Sequence, residues 1–196
     1  MFSINVVQSN FHSRVYGVLM LSLIVPHVPG YATKDDAQIV RDFEARVAKY
    51  IDVRKKDAGS APHPTNSPEK IAETRQDVAS KTRAIRSDAK QGNIFTPEIA
   101  TYMRKRISQA LSGPSGARIR ASLRHAEPVD GIHLRVNETY PQGVPLQSTP
   151  PSLLLTLPTL PDGLEYRIVG SNLILRDIEP NLVVDFLPNS IPPASE

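Results

Sequence analysis

Leu164-Glu165-Tyr166-Arg167-Ile168-Val169-Gly170-Ser171-Asn172-Leu173-Ile174-Leu175-Arg176-Asp177 is the stretch that decides the fold class. Apolar side chains recur at every second position on both sides of Gly170-Ser171, the period of a half-buried strand. Glycine at the first position of a two-residue loop suits a type II′ turn, which needs φ above zero there. That turn sets the register. Ile168 faces Leu173 and Tyr166 faces Leu175 on one side, while Glu165 faces Arg176 on the other. A second turn at Glu179-Pro180-Asn181 returns Leu182-Val183-Val184-Asp185-Phe186-Leu187 as a further strand. Residues 188–196 read as a frayed tail.

Upstream of the hairpin, six prolines fall between positions 141 and 161, at 141, 145, 150, 151, 158 and 161. Pro150-Pro151-Ser152-Leu153-Leu154-Leu155 has room for one short helix with proline in its first turn. Ile132, Leu134 and Val136 alternate with His133, Arg135 and Asn137, which predicts a half-buried strand. Ala117–His125 fits either a strand or a helical turn, with a slight lean to helix, because Ile119 and Leu123 lie four apart.

The region before it is helical. Ile39/Val40, Phe43, Val47 and Tyr50/Ile51 recur three and four apart from an Asp35 or Asp36 cap, predicting an amphipathic helix to about Lys56. Asp57–Asn66 reads as a loop. Ser67-Pro68-Glu69 places a capping serine, a first-turn proline and an acid at the positive end of a second helix. Its apolar stripe is Ile71, Val78, Ile85 and Ala89, with Gly92 as the stop. Thr96-Pro97-Glu98 repeats the signal and opens a third helix through Ile99, Met103, Ile107 and Leu111 to Gly113. The expected architecture is α+β, a basic three-helix subdomain (33–125) followed by a proline-rich segment and a small antiparallel sheet (126–187).

The N-terminus carries a different signal. Val15–Val25 is an eleven-residue apolar run after Arg14, closed by Pro26 and Pro29, with Gly30-Tyr31-Ala32 small at the positions a signal peptidase accepts. Residues 1–32 are therefore expected to be a cleavable secretory signal, cut after Ala32, with the mature chain periplasmic or secreted. Eleven residues are too few for a membrane span, which takes about 20. The chain contains no cysteine, which excludes disulfides, a thiolate nucleophile, Cys-ligated zinc and a lipoprotein anchor.

Leu157–Gly170, Leu173–Asp177 and Asn181–Phe186, together with the joint Lys90-Gln91-Gly92-Asn93-Ile94-Phe95-Thr96-Pro97-Glu98, resemble a family of small exported bacterial proteins of unassigned activity. The likeness runs from about Val40 to Phe186. The shorter pattern Tyr166-Arg167-Ile168-Val169-Gly170, Leu173-Ile174-Leu175-Arg176-Asp177 and Leu182-Val183-Val184-Asp185 also resembles the β-module of the RcnB-type periplasmic proteins, which are linked with nickel and cobalt homeostasis. These resemblances imply an envelope location and an α+β fold, and they imply no site residues.

Charge divides the chain. Residues 33–125 hold 19 Lys/Arg against 11 Asp/Glu, and residues 126–196 hold 3 against 9. The basic half either meets an external polyanion or pairs with the acidic half. Its densest cluster is Arg104, Lys105, Arg106, Arg118, Arg120 and Arg124, a candidate surface for an acidic envelope polymer, an anionic lipid surface or an envelope protein. Nucleic acid fits poorly, for no aromatics interleave with these cations. His125, Glu127 and His133, with Asp130 nearby, are a candidate metal set of the right ligand chemistry, although their spacing matches no established motif. Ser67-Pro68-Glu69-Lys70 has the Ser-x-x-Lys form of penicillin-recognising enzymes but lacks their Ser-Asp-Asn and Lys-Thr-Gly partners, and a helix cap explains Ser67. No catalytic set and no cofactor is expected. The sequence reads as a non-enzymatic binding or scaffold module, with a metal-binding accessory as the alternative.

Overall fold

Asp35 begins the ordered helical part by accepting the Gln38 backbone N–H at 2.6 Å, which satisfies one of the donors that a helix start leaves free. Helix α1 follows over Asp36–Val53 and buries Phe43, Val47, Tyr50 and Ile51, the stripe read from the sequence. It ends in one π-helical turn, Arg54–Ala58. The wider winding carries both Arg54 and Ala58 into the interior. The structure is a computed structural model that describes residues 35–58, 66–124, 133–140 and 149–191. The expected signal segment and its cleavage site lie outside these residues.

Helix α2 covers Pro68–Ile85. The Ser67 hydroxyl accepts the Lys70 N–H at 3.4 Å and donates to Glu69 Oε2 at 2.7 Å. The stripe expected for this helix is corrected. Ile71 and Ile85 are exposed, and the packed face is Val78, Ala79 and Thr82. The helix also stops earlier than Gly92. Arg86 caps it, and Gly92 instead takes φ +88° within the turn that leads to the next helix.

Helix α3, Pro97–Ser112, buries Ile99, Ala100, Met103, Ile107 and Leu111 as expected. A fourth helix, α4 (Gly116–Arg124), resolves the ambiguous stretch and extends the expected three-helix set. It approaches α3 so closely that a Cβ on Gly116 would lie 1.9 Å from the Leu111 carbonyl oxygen. Only glycine fits there. The short helix α5, Pro151–Leu154, forms between the prolines and buries Leu153 completely.

The sheet is a three-stranded antiparallel meander, β1 (Leu164–Val169), β2 (Asn172–Asp177) and β3 (Leu182–Leu187). Ile168 pairs with Leu173, Tyr166 with Leu175 and Glu165 with Arg176, the register read from the sequence. Gly170 has φ +57° and Ser171 does not share a positive φ, which identifies the turn as II′ rather than I′. Asn181, φ +53°, closes the second turn. A register shift at Leu175/Arg176 marks a bulge in β3. The bulge turns Val184 and Asp185 towards the same side, the side covered by helices.

The strand expected around residues 132–136 is corrected over its described part. His133–Arg135 have no regular structure, and Asn137 takes φ +66°. The segment reaches the sheet only afterwards. The Asn137 and Tyr140 N–H groups donate to Val183 and Asn181 carbonyls at 2.8 Å, and Thr139 bridges Leu182. This covers the open edge of β3.

One apolar cluster joins helices and sheet. It takes Phe43, Ile99, Met103 and Ile107 from the helices, Leu153 from α5, and Ile168, Leu173, Leu175 and Val184 from the sheet. Phe43 and Phe95 stack with ring centroids 6.0 Å apart. The other sheet face carries a smaller cluster of Tyr140, Val169, Ile174 and Val183. The end of the chain also docks through residue 191, rather than fraying from residue 188. The Ser190 and Ile191 N–H groups donate to the Ser171 carbonyl at 2.9 and 3.0 Å, and Ile191 is buried in the main cluster.

Candidate functional site

Two fully buried carboxylates on the sheet organise everything around them. Asp185 on β3 faces the Gln91–Phe95 turn. It accepts backbone N–H groups from Gly92 at 3.0 Å, Ile94 at 2.8 Å and Phe95 at 2.9 Å, and its own neighbour Phe186 at 2.8 Å. A carboxylate has about four acceptor sites, and this one fills them with backbone donors. Gly92 takes its positive φ here, because the turn must aim the Gly92, Ile94 and Phe95 N–H groups at one carboxylate.

Asp177, at the end of β2, is held differently. The Tyr50 hydroxyl donates to its Oδ2 at 2.6 Å, and Arg54 Nε lies 3.1 Å from the same oxygen. Arg54 also pairs with Glu179. Oδ1 of Asp177 accepts no hydrogen bond among the described residues. Burial pushes the Asp177 carboxyl above the usual carboxylate range, against the opposing pull of the Tyr50 hydrogen bond and the Arg54 charge. Burial, then the Asp177 charge, pushes Tyr50 far above an ordinary phenol, so Tyr50 remains a donor throughout the physiological range. The cluster locks the π-turn onto the β2–β3 turn.

Arg86 completes the inner wall. Its guanidinium donates to Asn137 Oδ1 at 2.7 Å and to the Val184 carbonyl at 3.0 Å, and Asn137 Nδ2 donates back to the Arg86 carbonyl at 2.6 Å. It lies 4.9 Å from the centroid of the Tyr50 ring. All these partners are uncharged. Among the described residues no carboxylate forms an ion pair with Arg86, and burial lowers its pKa, the cost of holding that cation partly out of water.

Tyr50, Arg54 and Arg86 line one side of a cleft of about 410 Å³ between α1 and the end of α2. Along α1, Arg46, Lys49, Tyr50, Val53 and Arg54 are spaced three and four apart, so one helix face presents them all. The opposite wall is Thr82, Ile85, Ala89 and Ile94, with Asp88 as the one acid in the lining. Arg46 and Lys49 form no hydrogen bond or ion pair among the described residues. The cleft therefore combines a carbon-rich floor with three cations that form no ion pair among the described residues, Arg86 feeling the charges of Asp185 and Asp177 only at a distance. Chemically it can hold an anion. It offers no nucleophile beside a base, because Ser67 is consumed as the α2 cap.

The basic residues singled out from sequence are spent largely inside the chain. Arg104 donates to the Pro188 carbonyl at 3.0 Å, Arg106 to the Thr156 carbonyl at 3.4 Å, and Arg120 to the Leu111 carbonyl. Lys105 lies 3.7 Å from Asp36 in an exposed pair. Arg118 is exposed on α4, and the Arg124 side chain lies outside the described set. His125 and Glu127 also lie outside it; His133 is exposed. Among the described residues no three His, Asp or Glu side chains converge as a metal site. Nor is any described helix long and apolar enough to cross a membrane.

Sequence reasoning passed over the α1 face. Its signal was a second, cationic stripe beside the apolar one, visible in the spacing of Arg46, Lys49 and Arg54. The facing wall had no signal, because it depends on where α2 stops. No family model, curated protein or solved structure matches the chain.

Proposed function

We propose that this chain is a non-enzymatic, exported binding module of the cell envelope, and that it takes an anionic partner at the cleft beside α1. The observation that carries this reading is the placement of Arg46, Lys49 and Arg86 around one cavity, with no ion pair to Arg46 or Lys49 among the described residues and only uncharged hydrogen-bond acceptors on Arg86. Arg46 is half-buried and Lys49 exposed, so an anion that seats between them gains their charge at little further desolvation cost. A purely structural role is already filled nearby by Arg54, which has its acids.

The internal contacts support a scaffold that does not change when it binds. Arg54, Arg75, Arg83, Arg86, Arg104 and Arg106 all reach groups in the C-terminal half and join the two parts, Arg54 through carboxylates and the other five through backbone carbonyls. What remains for a partner is the outer stripe of α1. The apolar N-terminal run of residues 15–25 supports delivery through a membrane, with release after Ala32.

Co-sedimentation of the purified chain with vesicles containing anionic phospholipid tests this. Binding is expected to weaken steeply between low and high salt. Replacing Arg46 and Lys49 together by Ala should lower affinity about tenfold or more, since each cation near an anionic surface contributes about 1 kcal/mol. Replacing Arg104, Lys105 and Arg106 by Ala should matter less. Binding that ignores salt, or that survives Arg46→Ala/Lys49→Ala unchanged, would overturn the assignment.

A further inference from the structure

The cleft has a second property that charge alone does not explain. Behind the cations its walls are apolar, formed by Val53, Ile85, Ala89 and Ile94. Ile85 is 38% exposed there, a large apolar side chain left open to water at the end of a helix. A site for a hydrated polyanion or an inorganic ion has no use for such a floor, because a hydrated ion gains nothing from carbon surface. A volume of about 410 Å³ falls within the ~300–1,000 Å³ range of small-molecule sites.

Resting on the anion-binding reading above, we infer that the cleft takes a single-chain amphiphilic anion: one carboxylate or phosphate head and one unbranched apolar tail. Arg46 and Lys49 hold the head at the rim, where they project from α1 one turn apart. The tail runs along Val53, Ile85, Ala89 and Ile94. Arg86, lying over the face of Tyr50, also lines the cleft, where its guanidinium, hydrogen-bonded to uncharged acceptors, adds positive charge. Asp88 at the mouth disfavours a dianion bound deeply and favours a head that stays at the α1 side.

The test is titration calorimetry of the purified chain with hexyl, octyl and decyl phosphate below their micelle-forming concentrations, and with inorganic phosphate as the headgroup alone. Affinity is expected to rise about fourfold per added methylene until the cleft is filled, the worth of burying one CH₂. Decyltrimethylammonium, with the same chain and the opposite charge, should not bind. Ile85→Asn introduces a polar group at an exposed position, so the fold should survive. It should flatten the chain-length dependence while leaving the weak binding of inorganic phosphate unchanged. Arg46→Ala/Lys49→Ala should weaken every anion alike. Equal affinity for all chain lengths, with binding to anionic vesicles intact, overturns the amphiphile while sparing the anion-binding reading. Absence of binding to every anionic probe, vesicles included, overturns both. Tight binding of decyltrimethylammonium overturns the role of the headgroup.

Discussion

Asp185 and Asp177 belong to neighbouring strands and are equally inaccessible, yet they are used in opposite ways. Asp185 is held by four backbone N–H groups and forms no ion pair among the described residues, although the Arg86 charge lies near it. Asp177 is held mainly by side chains, a phenol and a guanidinium on one oxygen, with the Glu179 backbone N–H also acting on the carboxylate and no hydrogen bond to Oδ1 among the described residues. Backbone donors are fixed by the fold and cannot reorganise without breaking it. Side-chain donors can respond to pH or to a nearby ligand. The first carboxylate closes a structure, and the second sits behind the wall of the cleft that remains open. A buried charge therefore signals function only after its partners have been counted.

The largest expected effect breaks the closed member of this pair. Asp185→Ala leaves three buried N–H groups of the Gly92–Phe95 turn without an acceptor, at about 1–3 kcal/mol for each such group. Losses of that size amount to much of a domain's stability. The expected outcome in urea denaturation is a loss of about 3–5 kcal/mol or failure to fold. A loss under 1 kcal/mol would show that the turn does not depend on Asp185.

A smaller effect is expected at Asp177, and it differs in kind. Its pKa is raised by burial, so the neutral form is favoured in the folded state. The corresponding stability is present in full below its ordinary value, about pH 4, and is lost as pH rises through the folded pKa. The Tyr50 hydroxyl, the Arg54 charge and the Glu179 backbone N–H limit the decline without reversing it, while the Glu179 charge adds to it. Asp177→Asn should cost about 1–3 kcal/mol through the weakened contact with Arg54. It should also flatten the fall in urea midpoint as pH rises above about 4. An unchanged pH profile in the variant would remove the contrast with Asp185.

The sequence carried the local parts of this fold well. The β1–β2 register was readable because alternation and a Gly-Ser turn act over fourteen contiguous residues. Helices α1 and α3 were readable because caps and a 3.6-residue stripe agree. Gly92 was misread because its partner lies 93 residues away, and a helix stop was the nearest local explanation. Helix α2 was misread because its large apolar residues, Ile71 and Ile85, are not the ones that pack. Small residues at Ala79 and Thr82 let the π-turn come close, and size is not a periodic signal. The alternation at 132–136 was real, but a strand needs a neighbour, and the chain meets β3 only from Asn137. Of the candidate site, one wall was present as a cationic stripe on α1. The densest basic cluster, at residues 104–124, drew attention away from it, although three of its arginines are occupied with carbonyls in the folded chain.

Amide chemical-shift mapping of the full chain during titration with decyl phosphate tests the assignment of the cleft most directly. Shifts are expected to concentrate in residues 46–54 and 85–95, with the Gly92, Ile94 and Phe95 amides moving least among the latter because Asp185 holds them. Shifts concentrated in residues 104–120, or none at saturating ligand, would contradict the claim that the open cleft beside α1 is where this protein meets its partner.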